Sequence, residues 1–180
     1  MNIKNAVNHF KTITRHRHAV IAHCKKAGIF WQGLFHDLSK YAPVEFSAGI
    51  KYYTGTRSPN DGERADKGYS AAWMHHKGRN KHHFEFWTDY HPQNRVMSPV
   101  KMPAKYVAEM FCDRVAASKI YQGKNYTDKH PLDYFMKGKQ VRVIHPETSD
   151  LLEDLLVALA EKGEDETFKK VRQLVKDKDY

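Results

Sequence analysis

The chain has 180 residues, enough for one domain with a sizeable core and too few for two generous ones. Its 30 Lys and Arg against 21 Asp and Glu leave a formal charge of +9, which favours an anionic partner: a phosphorylated small molecule, a nucleic acid or an acidic protein. Two cysteines, Cys24 and Cys112, are too few for a disulfide framework, no signal-peptide core is present near the start, and the longest strongly apolar run, residues 155–160, falls far short of the roughly 20 that span a bilayer, so a membrane protein is excluded and a cytoplasmic one expected.

Ala6, Phe10, Ile13, Val20, Cys24 and Ala27 recur at the helical period and predict a first helix over residues 5–27, with Gly28 as its terminator. A second helix is predicted over residues 31–40, before Pro43, and Pro43 suits the first turn of a third, PVEFSAGIKYY. Residues 54–68 are polar and lack any period, so a loop is expected, either a solvated excursion or a basic lid carrying Arg57, Arg64 and Lys67. A short helix, SAAWMHHKG, and the segment RNKHHFEFW follow, then an irregular piece with Pro92 and Pro99. Pro103 opens a long helix to Gln122, and a short one is expected over residues 131–136. From Ser149, a natural N-cap, two helices broken at Gly163 carry leucines on one face. With no internal repeat and no run of alternating strands, the expected class is all-α: a bundle over residues 1–145 and a C-terminal extension over 146–180 that covers the core of the same unit or binds another subunit.

Metal-type ligands stand at four places: His16, His18 and His23; the adjacent His36 and Asp37; His75 and His76 with His82 and His83; and Asp113. Asp113 shares a helix face with Tyr106, Met110, Ala117 and Ile120, and an ionised carboxylate in such a stripe is costly unless it is paired or coordinates a metal. A salt bridge to a core Arg or Lys would satisfy it equally well. His16, three residues after Ile13 and four before Val20, lies on the apolar stripe of its helix; His18 falls toward the opposite flank. A lone histidine there is usually a hydrogen-bonded core residue, so the combination is what counts. An early His, a His-Asp pair, further His residues and a later Asp make a mixed nitrogen and oxygen set suited to one or two ions of Mn, Fe, Co, Ni or Zn.

This order of ligands resembles the HD-domain superfamily of metal-dependent phosphohydrolases, whose pattern runs H, HD, D, with extra His in binuclear members. The stretches KAGIFWQGLFHDLSKYAPVEF, KGYSAAWMHHKGRNKHHFEFW and MPAKYVAEMFCDR are similar to those of a family of uncharacterised HD-type proteins from bacteria and phages. The resemblance implies an HD-like helical bundle with His16, His36, Asp37 and Asp113 in the ligand positions, and His75 and His76 matching the paired His that serves a second metal. Lys40 matches the Lys that follows the HD pair in many superfamily members, whereas His82 and His83 have no secure counterpart.

The function expected is hydrolysis of a phosphate ester, a nucleotide being the most plausible substrate, by water activated on the metal, with Asp37 and Lys40 in the chemistry and Lys40 neutralising charge on the phosphoryl oxygens. Two alternatives stand beside it. One keeps the fold and uses a di-iron centre to activate oxygen. The other is no enzyme, a basic helical protein whose RHRH and HHKGRNKHH stretches contact nucleic-acid phosphates.

Overall fold

Helix α1 (Ile3–Ala27) is capped by Asn2, whose side chain accepts from the Asn5 N–H, and ends at Gly28, which takes the left-handed φ of 80° that closes a helix. The computed structural model describes residues 2–180. As the apolar spacing demands, α1 buries Ile13, His16, Val20, Cys24 and Ala27 on one face and leaves His18 exposed.

The next element departs from expectation. Helix α2 (Phe30–Leu34) is only five residues long, and the predicted helix over residues 31–40 breaks after it. Asp37 adopts a left-handed conformation (φ 54°, ψ 24°), and Leu38–Tyr41 form a separate 3-10 turn. That conformation costs a non-glycine residue on the order of 1–3 kcal/mol and must be held by its surroundings. Arg17 on α1 does part of this: its Nε donates to the His36 carbonyl at 3.2 Å and a terminal nitrogen donates to the Leu34 carbonyl. In a continuous helix, neighbours project about 100° apart. The break lets His36 and Asp37 approach one point, and Lys40 reaches it through this turn instead of along a helix face as expected.

Helix α3 (Pro43–Lys51) starts on its proline as predicted. Residues 54–68 are not a plain loop: they contain α4 (Pro59–Lys67), with Ser58 as N-cap and Gly68 closing it. Among the described residues α4 buries only Glu63, which accepts from Ser70 Oγ (2.8 Å) and the Ala72 N–H (3.2 Å) and so ties α4 to the start of α5 (Ala71–Lys77). A helix whose one buried side chain is a carboxylate shows no apolar period. Beyond α5, a small antiparallel hairpin, β1 (Thr88–Tyr90) with β2 (Met97–Pro99), stands where no strand was expected.

Helix α6 (Ala104–Gln122) buries Val107, Ala108, Met110, Phe111, Cys112, Val115 and Ala116, nearly all round its first three turns, because α1, α7 (His130–Gly138) and α8 (Pro146–Asp177) pack about it. Ser149 is not a cap: α8 begins three residues earlier on Pro146, a residue suited to a helix's first turn. Its axis breaks at Gly163 (φ 76°, ψ 177°), as the sequence suggests. Leu152, Leu155, Leu156, Leu159, Phe168 and Val171 of α8 join Val20, Cys24, Phe111 and Phe135 in one apolar cluster, so residues 146–180 complete a single core. The class is all-α, and among the described residues no helix is long and apolar enough to cross a membrane.

Helix α2 lies close on α1 through Gly33, where an added Cβ would stand 2.5 Å from Cys24 Cβ. Gly33→Ala is expected to lower unfolding stability by about 1–3 kcal/mol, the usual cost of overpacking. Urea denaturation of the two proteins measures it.

Candidate metal centre

Four segments far apart in sequence meet beside the break after α2. His16 comes from the buried face of α1, His36 and Asp37 from the left-handed turn, and Asp113 from α6; these offer four ligand atoms within 4.8 Å of one another. His16 Nε2 lies 2.9 Å from Asp113 Oδ1, and His36 Nε2 lies 3.2 Å from Asp37 Oδ2 and 3.5 Å from Asp113 Oδ1. A second group of four uses the other side of Asp37, with His76 at the end of α5 and His82 and His83 just after it. Asp37 Oδ1 is 3.2 Å from His76 Nε2 and 3.5 Å from His82 Nε2, while His76 Nε2 and His83 Nε2 are 2.9 Å apart. Asp37 therefore stands between both groups, one oxygen to each.

The orientation of the rings matters more than their proximity. Glu109, one turn before Asp113 on α6, places Oε1 2.9 Å from His36 Nδ1 and 3.2 Å from His82 Nδ1. Glu45 on α3 places Oε2 2.8 Å from His76 Nδ1. Carboxylates that hold the Nδ1–H of a histidine fix its tautomer and turn the Nε2 lone pair the other way, the arrangement that surrounds metal-ligating histidines. His36, His82 and Glu109 also form a grouping of their own, yet their short contacts run through Nδ1 and read as N–H donors to a carboxylate.

The inward atoms lack other satisfaction. Among the described residues, Nε2 of His16, His36 and His82 and Oδ1 of Asp37 are buried without a hydrogen-bond partner, although several lie close together, and Asp37 Oδ2 is met by Lys40. Close but misaligned nitrogens and oxygens aimed at a common point are what a cation coordinates, and leaving them unmet is costly. The donor set therefore fits a divalent transition ion.

Electrostatics follow from this packing. Burial would push the Asp37 carboxyl up, but His36 and Lys40 beside it hold it well below the carboxylate range; His16 and His36 do the same for Asp113. His36 is pulled well above its ordinary value against its own burial, chiefly by Asp37. Lys40 Nζ lies 2.6 Å from Asp37 Oδ2, its side chain 31% exposed, at the rim of the cage.

The cage residues line two adjoining clefts. Lys40, His76 and His83 face one of 160 Å³, and Asp113 and His83 face a larger one of 560 Å³. Arg57, Trp73 and Tyr121 border both.

Of the residues marked in the sequence, His16, His36, Asp37, His76 and Asp113 converge, with Lys40 attached. His75 does not: its Nδ1 is 2.6 Å from Glu45 Oε1 and it belongs to neither group, because adjacent helical residues cannot face the same point. His82 and His83 take the places beside His76 in the second group. Glu109 and Glu45 were not anticipated. The spacing of Glu109 to Asp113, four residues on one helix, was a signal available in the sequence.

The profile of DUF5662, a family of unknown function, matches residues 5–158, which include every residue of the cage. Neither a curated protein nor a solved structure matches the chain.

The carboxylates set the acid behaviour of the protein in the absence of any added metal. Burial raises the Glu109 pKa, but His36 and His82 outweigh it and bring it from an ordinary 4.5 to about 2. A depressed carboxyl stabilises the fold above its unfolded value and loses that contribution as pH falls through the folded one. Stability should therefore decline from about pH 4.5 towards 2, and Glu109→Gln should flatten the decline, as read by urea midpoints across that range.

Proposed function

The chain belongs to the DUF5662 family, and we propose that it is an HD-type metal-dependent phosphohydrolase that cleaves a phosphate ester, a nucleotide being the substrate best suited to its cleft. The observation that carries this reading is the set of buried ligand atoms on His16, His36, Asp37 and His82: the three Nε2 atoms and Asp37 Oδ1 have no hydrogen-bond partner among the described residues, and Asp37 Oδ2 is met by the Lys40 ammonium. His16, His36, Asp37 and Asp113 would hold one ion, and Asp37, His76, His82 and His83 a second, of Mn, Fe, Co, Ni or Zn. Bound there, such an ion would bring the pKa of a coordinated water down to about 7 and polarise phosphoryl oxygens.

The chain's own residues do the rest. Glu109 and Glu45 hold the rings in the tautomer that presents Nε2. Lys40, partly exposed at the rim, puts an ammonium where charge grows on the phosphoryl oxygens. Arg57 at the shared border attracts the anion, and Trp73 and Tyr121 offer ring faces for a nucleobase. The free, buried thiols Cys24 and Cys112 suit a reducing cytoplasm. Nucleic-acid binding through RHRH and HHKGRNKHH is less well supported, because His16, His76, His82 and His83 turn inward and Arg17 is spent on backbone carbonyls.

Metal-stripped protein reloaded with Mn, Co or Ni should melt at a higher temperature and release phosphate from some member of a phosphomonoester, phosphodiester and nucleotide panel. Asp37→Asn should remove both effects. Glu109→Gln, which keeps every ligand atom but unties His36 and His82, should lower metal affinity or turnover roughly 10–100-fold. Metal bound with a blank panel would overturn the hydrolase reading.

A second reading rests on the five histidines about a shared Asp37, a donor set that also suits two irons. Iron-loaded protein should then consume oxygen in air when offered its substrate, an outcome an oxygen electrode distinguishes from hydrolysis.

A further inference from the structure

The larger cleft contains cationic groups that the cage does not use. Arg114 follows Asp113 on α6 and lines the same cleft, and its Nε is buried without a hydrogen-bond partner among the described residues. Arg142, from the segment between α7 and α8, lines it too; backbone carbonyls fix its fork, Phe135 at 2.6 Å and Tyr134 at 3.3 Å. The two guanidinium carbons lie 5.8 and 5.2 Å from the centre of one ring, Phe135, so two like charges share a small, partly desolvated space.

The acidic groups of the cleft do not neutralise them. Asp61 is paired with Arg64 at 2.8 Å, and Asp113 belongs to the cage. Glu85 lines the cleft with its buried Oε2 lacking a hydrogen-bond partner among the described residues, and it forms no ion pair with Arg114 or Arg142. With no carboxylate bonded to either among the described residues, Arg114 offers the edge that carries its unmet Nε–H, and Arg142, its terminal nitrogens already held by carbonyls, adds a fixed positive charge and its remaining N–H groups; the pair matches a phosphate or carboxylate of a ligand. At 560 Å³ the cleft has the size of a small-molecule site.

We propose that Arg114 and Arg142 form an anion subsite, so that the substrate carries two anionic groups: the scissile phosphate at the cage and a second phosphate or carboxylate on the arginine pair. The proposal rests on the phosphohydrolase reading for the identity of the first group. Arg114 and Arg142 are then specificity-determining residues, selecting a doubly anionic compound over a simple phosphomonoester.

The test uses two matched pairs of probes on the full chain, stripped of metal so that nothing turns over: 3-phosphoglycerate against glycerol 3-phosphate for a carboxylate, and adenosine 3′,5′-bisphosphate against AMP for a phosphate. Calorimetry should find the doubly anionic member of at least one pair bound roughly 10–100-fold more tightly, the range that charge-assisted hydrogen bonds supply. Arg114→Gln should collapse that ratio towards unity. The ratio is the readout because general damage to the fold weakens both members alike. If Arg114→Gln fails to fold, Arg114→Lys, which keeps the charge and loses the fork, should still cut the ratio. A ratio below roughly twofold in both wild-type pairs, or one that survives the substitution, overturns the subsite. Phosphate release by the metal-loaded protein is measured in parallel. A preserved ratio with no release supports the subsite and refutes the hydrolase; release with no ratio does the reverse.

Discussion

The position of Asp37 is the constraint on which the rest of the site depends. Its carboxylate divides between two sets of histidines, and it can do so only because the chain leaves the helix at that residue and enters the left-handed region. The strain of that turn is offset by bonds from elsewhere: Arg17 on the carbonyls before it, and Asn80 Nδ2 on Ser39 Oγ at 2.8 Å after it. Both α1 and the end of α5 are thereby tied to the turn, and each contributes imidazoles to the cage.

Around that point the architecture is a scaffold for orientation. α6 is buried nearly all round, and such a helix cannot rotate without losing core packing, so Glu109 and Asp113 keep a fixed angle to one another. One carboxylate steers rings from outside and the other meets them from inside. α8 contributes none of the cage residues but closes the apolar cluster against α6, which makes the C-terminal helices part of the site's support.

How much of this the sequence disclosed depends on the kind of signal. Helices with an apolar stripe, α1, α6 and α8, were legible to within a few residues, as was the break at Gly163. Helix α4 was not, because its inward residue is Glu63; a Ser-Pro start and a Gly end mark it, but the apolar period that identifies a helix is missing. The candidate ligands His16, His36, Asp37 and Asp113 are legible because each sits where an apolar residue or a solvated one would be simpler. His75 and His76 looked equivalent as neighbours, and only the direction of α5 separates them. The supporting carboxylates were invisible for a different reason: Glu45 and Glu109 look like ordinary surface acids until the fold buries them.

The ammonium of Lys40 occupies an oxygen of the same carboxylate that joins the two groups of donors. A tethered positive charge therefore stands where the two groups of donors meet, and none of the cage residues belongs to the apolar cluster. A cation entering there would have to displace an ammonium the chain already supplies, so occupancy would be an exchange of one positive charge for another.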